Sequence, residues 1–211
     1  MKMTKFVYEN IKLIHGDCMN YMKDLPDNAF DLAIVDPQYG IGDFTEKGEG
    51  RVKWNNNIPE RKYFKELFRI SRDQIISGGN YFTEYLYPTK SWIIWNKEVS
   101  IKTGHLECEL FWTTLKFPTY ILKETWTSGW YSQNQEQLIH PCQKPIKLYK
   151  KILRNHAKPD MKIIDTHGGS MSSMIACYDF GCEAVGIEID QEYYDAAVKR
   201  FKNHIAQQKL F

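Results

Sequence analysis

Ile163-Ile164-Asp165-Thr166-His167-Gly168-Gly169-Ser170 carries the strongest structural signal in this chain. The apolar residues at its start predict a buried strand that ends at Asp165, and residues 172–180 predict a helix that Gly181 ends. The two glycines between them allow the backbone to approach another molecule closely, and the N-terminus of the helix offers free N–H groups to an anion. A strand, a glycine turn and a helix in this order indicate an α/β fold.

Glu188 is the acid that follows this unit, at the end of a further predicted strand over residues 184–188. It lies about 20 positions after Gly168, and an acid at that place can accept hydrogen bonds from both hydroxyls of a ribose. The three-glycine dinucleotide fingerprint is absent, which disfavours NAD or FAD. We therefore predict a nucleoside-binding half-sheet, and the simpler alternative is a tight turn beside an exposed acid.

The rest of the chain alternates short apolar runs with helical patterns, as expected for a single α/β domain over residues 1–211. Strands are predicted at 32–35, 74–76 and 92–95, and helices at 61–71, 144–156 and 191–208. Two segments do not fit this alternation. Residues 40–59 are rich in Gly, Lys, Glu and Asn and predict a long functional loop. Residues 98–140 show no clear period and predict an irregular insertion.

Asp36-Pro37-Gln38-Tyr39 directly follows the predicted strand at 32–35, and open α/β sheets place their chemistry at the carboxyl ends of such strands. A carboxylate and a carbonyl held close together can both accept hydrogen bonds from one NH2 group. An amino group on an aromatic base is a poor nucleophile because its lone pair is delocalised into the ring, and two acceptors would localise that pair. We expect Tyr39 to stack on a base that has left the duplex. The alternative is a proline-containing turn with a capping Asp.

These motifs resemble those of the amino-methyltransferases that modify DNA with S-adenosylmethionine. In that family the strand-end motif is Asp/Asn/Ser-Pro-Pro-Tyr/Phe/Trp, and here it precedes the glycine turn, as in the permuted β class. Five stretches match in order and spacing over roughly residues 11–200. They are Gly16-Asp17-Cys18, Asp36-Pro37-Gln38-Tyr39, His140-Pro141-Cys142-Gln143-Lys144-Pro145, 165–173 and Gly186-Ile187-Glu188-Ile189-Asp190.

The resemblance implies a Rossmann-like methyltransferase sheet with helices on both faces and a small inserted target-recognition region at 98–140. It implies S-adenosylmethionine as the cofactor, held by Asp17, Cys18, Asp36, Lys144, Pro145, Asp165, His167, Gly168, Gly169, Ser170 and Glu188. Catalysis would fall to Asp36, Pro37, Gln38 and Tyr39, by direct transfer to an amino group with no metal and no covalent enzyme intermediate. Cys18 and Cys142 are then expected to be small buried residues rather than nucleophiles.

Two residues depart from the family pattern. Gln38 replaces the second proline; the family uses the carbonyl of the first proline, here Pro37, so the acceptor survives. The backbone at Pro37 is less rigid than in the family, because a proline at position 38 would confine the residue before it. His167 stands where the family often has Phe, and it either stacks over the cofactor or is a polar substitution without a role.

Asp36 also bears on the substrate. It favours adenine N6, because the cytosine-N4 enzymes of the family more often begin the strand-end motif with Ser. Cytosine N4 is the alternative substrate. A catalytically weak module that binds cofactor and DNA, motivated by Gln38, is the alternative of another class.

The charge of the chain is unevenly distributed. The formal net charge is only +2, from 28 Lys and Arg against 26 Asp and Glu, which argues against purely electrostatic binding of nucleic acid. Residues 51–160 nevertheless hold 18 basic and 10 acidic side chains, so we place double-stranded DNA against the middle of the chain. The DNA contacts are expected from Lys47, Arg51, Lys53 and Trp54 in the loop, and from Trp126, Trp130 and Tyr131 in the insertion. The alternatives are a solvated charged loop and core aromatic residues.

The last five residues, Gln207-Gln208-Lys209-Leu210-Phe211, resemble the Gln-x-x-Leu-Phe peptides by which bacterial replication proteins bind the sliding clamp. Gln207, Leu210 and Phe211 would be the anchors, and the alternative is a helix end that packs on its own core. The small recognition region also suggests help from a second protomer in a homodimer. Five irregularly spaced cysteines without a C-x-x-C pair predict a reduced, cytoplasmic protein of prokaryotic or phage origin, and no apolar run is long enough for a membrane.

Overall fold

The computed structural model describes residues 3–42, 57–99, 106–126 and 138–208. In these ranges the strands are β1 (Thr4–Tyr8), β2 (Ile11–His15), β3 (Phe30–Val35), β4 (Ser71–Ser77), β5 (Trp92–Asn96), β6 (Cys108–Thr113), β7 (Tyr120–Lys123), β8 (Lys162–Asp165) and β9 (Glu183–Glu188). The α-helices are α1 (Cys18–Met22), α2 (Arg61–Ile70), α3 (Ile146–His156), α4 (Ser172–Phe180) and α5 (Gln191–Gln208). A 3-10 turn covers Gly79–Tyr81. None of the helices described here has the length and apolar character needed to cross a membrane.

The strands pair into one sheet in the order β1-β2-β9-β8-β3-β4-β6-β5-β7. The five strands from β2 to β4 in this order are parallel to one another, whereas β1 is antiparallel at one edge. On the other side, β6 runs antiparallel to both β4 and β5, and β7 is parallel to β5. The predicted Rossmann-like α/β sheet is confirmed.

Helices cover both faces of the sheet because the parallel strands are apolar on both faces. On β3, Leu32 and Ile34 pack with residues of α3, α4 and α5, while Ala33 and Val35 pack with residues of α1 and α2. Side chains alternate along a strand, so a strand buried on both faces is a continuous apolar run, as the sequence of β3 is. The residues that α2 buries follow the helical period and are Tyr63, Phe64, Leu67 and Ile70.

The strands and helices predicted outside residues 98–140 are present within a few residues of their expected bounds. The expectation that 98–140 is irregular is wrong, because β6 and β7 belong to the central sheet. β6 inserts between β4 and β5, and its mixed polarity arises because its first residues are more exposed and its last three are buried. Strand β1 was not predicted, since Thr4–Tyr8 is half exposed and shows no buried run. Strand β2 and the short helix α1 were not predicted either, although β2 is largely buried.

The chain leaves the neighbouring strands β8 and β3 towards opposite sides of the sheet. From β8 it passes through α4 to β9 on one side, and from β3 it leads by way of α2 to β4 on the other. In open α/β sheets such a divergence opens a crevice at the carboxyl ends of the two strands, where ligands bind. The glycine turn after β8 and the strand-end motif after β3, Asp36-Pro37-Gln38-Tyr39, therefore lie side by side.

Candidate functional site

Four acidic residues lie at the carboxyl edge of the parallel sheet. Asp17 follows β2 closely, Asp36 follows β3, and Asp165 and Glu188 are the last residues of β8 and β9. Because these four strands are parallel and consecutive in the sheet, their carboxyl ends meet at one edge. Asp36, Asp165 and Glu188 were expected at strand ends, and the structure places them there; Asp17 joins them at the end of a strand that was not predicted.

Glu188 is tied to the glycine turn by its carboxylate. Gly169 N donates to Glu188 Oε2 over 2.8 Å, and Asp190 N donates to Glu188 Oε1 over 2.8 Å. Gly169 has a φ of +49°, a left-handed conformation that glycine adopts at little cost. Burial raises the pKa of Glu188, although these two N–H groups act against the shift. Each carboxylate oxygen keeps a further lone pair for another donor.

Asp165 is buried beneath the same turn, with 1% of its surface exposed. Its carboxylate accepts hydrogen bonds from Ser173 Oγ at 2.5 Å and from His167 N at 3.0 Å. Burial raises the pKa of Asp165 to about 7, and the nearby charges of Asp36 and Glu188 add to that shift. Asp165 therefore sets the shape of the turn from inside it.

Arg200 on α5 also holds the glycine turn, although no sequence motif includes it. Its Nη1 donates to the carbonyl oxygen of Ser170 over 2.8 Å and to Ser172 Oγ over 2.9 Å. These contacts hold the turn at the start of α4, next to Met171, which has a left-handed φ of +56°. No local pattern marks Arg200, because it is one of several basic residues on a largely polar helix.

The strand-end motif has its carboxylate held from two sides. Tyr39 Oη donates to Asp36 Oδ1 over 2.7 Å and lies 2.6 Å from Ser77 Oγ. Lys144 Nζ donates to Asp36 Oδ2 over 2.5 Å. The ring of Tyr39 stacks on Tyr81, with 4.9 Å between the ring centroids and 16° between the planes. The motif that chemical reasoning selected is therefore a packed and ordered element of the site.

Lys144 points at this motif from the segment that precedes α3. In addition to Asp36, its Nζ donates to Tyr39 Oη over 3.1 Å and pairs with Glu109 Oε2 at 3.1 Å. An ammonium has three N–H donors, and here three oxygen atoms accept from it. Pro145, the next residue of the matched stretch, is buried and stands just before α3. The contact of Lys144 with cofactor stays a prediction, while its contact with Asp36 is present.

Two further residues of the predicted cofactor set have clear structural roles. The carboxylate of Asp17 accepts from Met19 N at 2.7 Å and Asn20 N at 3.3 Å, so it caps the N-terminus of α1. Burial, and then the charge of Asp17, raises the pKa of Cys18 to about 12, so its thiol stays protonated. Cys142 was expected to be buried, and that expectation is wrong: it is exposed in the turn before Lys144.

His167 and His140 flank the glycine turn. His167 lies edge-on to Tyr63 with 5.0 Å between centroids, and its Nδ1 is 3.0 Å from Thr166 Oγ1. The His140 ring lies over Gly169, where an added Cβ would be 3.5 Å from it. Burial lowers the pKa of both imidazoles to about 4, so both are neutral near pH 7.

Several predicted contacts lie outside the described residues. They are Lys47, Arg51, Lys53, Trp54, Trp130, Tyr131, Leu210 and Phe211. Gln207 is exposed near the end of α5, and the sliding-clamp peptide and the homodimer stay predictions. Trp126 is 5% exposed and packs in the core cluster of α3, so of its two readings the structure supports the core.

Comparison with known proteins gives a consistent family. A protein-family model described as DNA methylase matches residues 118–199. The chain is similar to the DNA adenine methyltransferase YhdJ of Escherichia coli (strain K12), with 22% identity over 98% of this chain and 88% of that protein. It is similar in structure to the M1.HpyAVI–SAM complex, with a TM-score of 0.62 and 20% identity over 90% of this chain and 98% of that chain. The cytosine-N4-specific PvuII DNA methyltransferase gives a TM-score of 0.63 at 13% identity, over 93% and 90% of the two chains.

The residues at the sheet edge fit the cofactor of this family. S-adenosylmethionine carries a sulfonium and an ammonium, and the edge that would hold it is lined by the carboxyl groups of Asp17, Asp36 and Asp165, of which that of Asp36 is already paired with Lys144. Its ribose hydroxyls are donors, and the Glu188 carboxylate has acceptor capacity beyond its two backbone contacts. The chain is therefore similar in sequence and in fold to the S-adenosylmethionine-dependent DNA amino-methyltransferases, which include adenine-N6 and cytosine-N4 enzymes.

Proposed function

We propose that this protein methylates the N6 amino group of adenine in double-stranded DNA. One observation carries the proposal: the Asp36 carboxylate, next in sequence to the Pro37 carbonyl, lies at the switch point beside the glycine turn and Glu188. A pair of acceptors for an amino group and a nucleoside-binding turn are thereby neighbours at one sheet edge. That is the arrangement an amino-methyltransferase requires.

The cofactor would be held on the β8–β9 side of the crevice. We assign the ribose hydroxyls to Glu188, the methionine end to the turn at 168–170 with Asp165, and the adenine end to Asp17 and Cys18. When bound, S-adenosylmethionine supplies a methyl group that the sulfonium centre makes electrophilic. Arg200 supports this half of the site indirectly, because it fixes the carbonyl of Ser170.

The target base would be held on the β3 side. Asp36 and the Pro37 carbonyl would accept the two N–H bonds of the amino group and draw its nitrogen towards a tetrahedral shape, which localises the lone pair. Both oxygens of Asp36 already accept one hydrogen bond each, from Tyr39 and Lys144, and each has a further lone pair. The carboxylate would therefore meet the substrate in a fixed orientation, which spares the reaction the cost of ordering it.

Adenine is favoured over cytosine by Asp36 itself, since Ser is the more frequent first residue in the cytosine-N4 enzymes. The relative YhdJ, named an adenine methyltransferase, agrees with this choice. Cytosine N4 is the second candidate, because a carboxylate and a carbonyl serve any aromatic amino group and the PvuII enzyme has the same fold. A cofactor- and DNA-binding module with little activity is the remaining alternative, motivated by Gln38.

The decisive experiment is methyl transfer from labelled S-adenosylmethionine to plasmid DNA, followed by digestion to nucleosides and mass spectrometry. We expect labelled N6-methyldeoxyadenosine with the native protein and none with Asp36→Ala. Labelled N4-methyldeoxycytidine would contradict the proposed base. Cofactor binding without transfer to any DNA would contradict enzymatic activity and support the inactive module.

A further inference from the structure

We infer that Glu109, on β6, is a positioning residue that holds the Lys144 ammonium against Asp36 and so orients the catalytic carboxylate. The inference rests on the proposed function, because it gives Asp36 the role of amino-group acceptor. Glu109 lies in the segment that no sequence motif covers, and it contributes to the reaction through Lys144 rather than by touching substrate.

The topology of β6 brings Glu109 to the site. β6 is antiparallel to β4, and its Phe111 pairs with Ser77, the last residue of β4. Glu109 precedes Phe111 by two residues, so it lies beyond the carboxyl end of β4 on the same side of the strand. An antiparallel strand inserted among parallel ones thus delivers an extra carboxylate to the edge where the chemistry is placed.

The contacts of Glu109 form a chain that ends at Asp36. Lys97 Nζ pairs with Glu109 Oε1 at 2.6 Å, and Lys144 Nζ pairs with Glu109 Oε2 at 3.1 Å. Lys144 Nζ in turn pairs with Asp36 Oδ2 at 2.5 Å. Tyr39 Oη, which donates to Asp36 Oδ1, also lies 3.2 Å from Glu109 Oε2. Two ammonium groups and two carboxylates therefore alternate, and the cluster is neutral as a whole.

Burial makes this charge balance matter. The exposed fraction of the side chain is 5% for Lys144, 13% for Glu109 and 14% for Lys97. Charges with so little water interact strongly, and removing one partner leaves its counterpart uncompensated. Burial opposes ionisation of Glu109, yet Lys144 and Lys97 lower its pKa to about 2. Glu109 is therefore a carboxylate over the pH range in which the transfer rate would be measured.

The Glu109 carboxylate compensates the charges of two neighbouring ammonium groups, those of Lys97 and Lys144. Without its charge, Lys97 and Lys144 would share Asp36 as the remaining carboxylate of the cluster and would repel each other. Lys144 would then move from its position between Asp36 and Tyr39, or pull Asp36 towards itself and away from substrate. Either change reorients the catalytic carboxylate, whereas Glu188, Asp17 and the turn at 168–170, to which we assign the cofactor, keep their own contacts.

The test is Glu109→Gln, which keeps the shape of the side chain and removes its charge. We expect the single-turnover rate of methyl transfer, at saturating DNA and cofactor, to fall about 10- to 100-fold. The dissociation constant for S-adenosylmethionine, measured by calorimetry, should stay within about threefold. The double variant Glu109→Gln/Lys97→Met restores one lysine against one carboxylate and should recover most of the lost rate.

Glu124→Gln is the matched control. Glu124 is also buried, at 8% exposure of its side chain, and it also pairs with a lysine of α3, Lys151 at 2.8 Å. The Glu124→Gln variant should transfer methyl groups at the native rate, because the Glu124–Lys151 ion pair includes no group of the cluster. A rate loss in Glu124→Gln as large as in Glu109→Gln would overturn the inference, since any buried charge would then have the same effect.

A readout without turnover separates this inference from the proposed function. The hydrogens of the Lys144 ammonium group, observed in 15N-lysine NMR spectra, should exchange slowly with water in the native protein and in Glu124→Gln. In Glu109→Gln they should exchange rapidly. This result in a protein that transfers no methyl group would uphold the positioning contact and reject the proposed function. A Glu109→Gln variant with the native transfer rate and slow hydrogen exchange at Lys144 would overturn the inference. A variant that lost transfer rate and affinity for S-adenosylmethionine to the same extent would overturn it as well.

Discussion

Gly78 lies against the ring of Tyr39 so closely that a Cβ atom at residue 78 would be 2.2 Å from Tyr39 Cε1. Gly78 directly follows β4, and Tyr39 follows the neighbouring parallel strand β3. Gly78 also has a φ of +68°, in the left-handed region that other residues rarely adopt. The glycine after one strand thus sets the position of the tyrosine after the next, and through it one hydrogen bond to Asp36.

Gly78→Ala should abolish methyl transfer by displacing Tyr39. The left-handed conformation alone costs about 1–2 kcal/mol for alanine, and the clash with the ring adds to that cost. Gly181→Ala is the control, because Gly181 has a φ of +86° but open space around its Cβ position. Thermal denaturation should show destabilisation in both variants, whereas the transfer rate should be lost only in Gly78→Ala. An active Gly78→Ala protein would show that Tyr39 need not occupy its present position.

Glu188→Gln should weaken cofactor binding. Glutamine offers one acceptor oxygen where Gly169 N and Asp190 N now use two, and it removes the charge that favours hydrogen bonds from ribose hydroxyls. Hydrogen bonds to a charged group contribute about 1.5–3 kcal/mol, so we expect the dissociation constant for S-adenosylmethionine to rise about 10- to 100-fold. Glu183→Gln, at the other end of β9, should bind as the native protein does. Calorimetric titration of both variants checks this, and equal affinities would remove Glu188 from the binding site.

His167→Phe should make the protein more resistant to acid. The pKa of His167 is about 4 in the folded state, below its usual 6.5, because burial disfavours the charged ring. Between these values the unfolded state binds more protons, so stability falls as the pH falls from about 6.5 to 4. Phe cannot be protonated, and it should retain about 1–2 kcal/mol that the native protein loses at pH 5.

The measurement is the difference in melting temperature between pH 7.5 and pH 5 for the two proteins. His140 has the same downward shift, and Asp165, with its pKa raised to about 7, acts in the opposite sense over its own range. Both residues are common to the two proteins, so the comparison isolates His167. An equal decrease in both proteins would contradict the assigned state of the imidazole.

Gln38→Pro should increase the transfer rate about two- to fivefold without changing cofactor affinity. A proline at 38 confines the backbone of Pro37 to extended conformations and so steadies the carbonyl that serves as the second acceptor. It also stabilises the folded protein by about 0.4–1 kcal/mol through a less flexible unfolded chain. Single-turnover kinetics and thermal denaturation test this together. A slower or less stable variant would mean that the native site depends on the conformation that Gln38 allows.

Much of the fold was accessible from local sequence. The apolar run at β3, the strand–turn–helix unit around Gly168 and the spacing of apolar residues in α2 each depend on near neighbours in the chain, and all three are present. β6 was missed because Glu109 and its neighbours give the strand a mixed polarity. That polarity is the consequence of its role, since one end of the strand is buried in the sheet while the other carries a charge to the site.

Sequence alone was sufficient to place Asp36 and Glu188 at the same edge of the sheet, because both stand at the ends of locally recognisable strands. It could not show which groups hold them in place. Lys144 and Asp36 are 108 positions apart, Glu109 and Tyr39 are 70 apart, and Arg200 and Ser170 are 30 apart. Such pairs form only when the strand order brings β3, β4 and β6 together and α5 closes over the turn, and strand order is set by packing across the whole sheet. The identity of the site is therefore a local property of the chain, whereas the orientation of its carboxylate is a tertiary one.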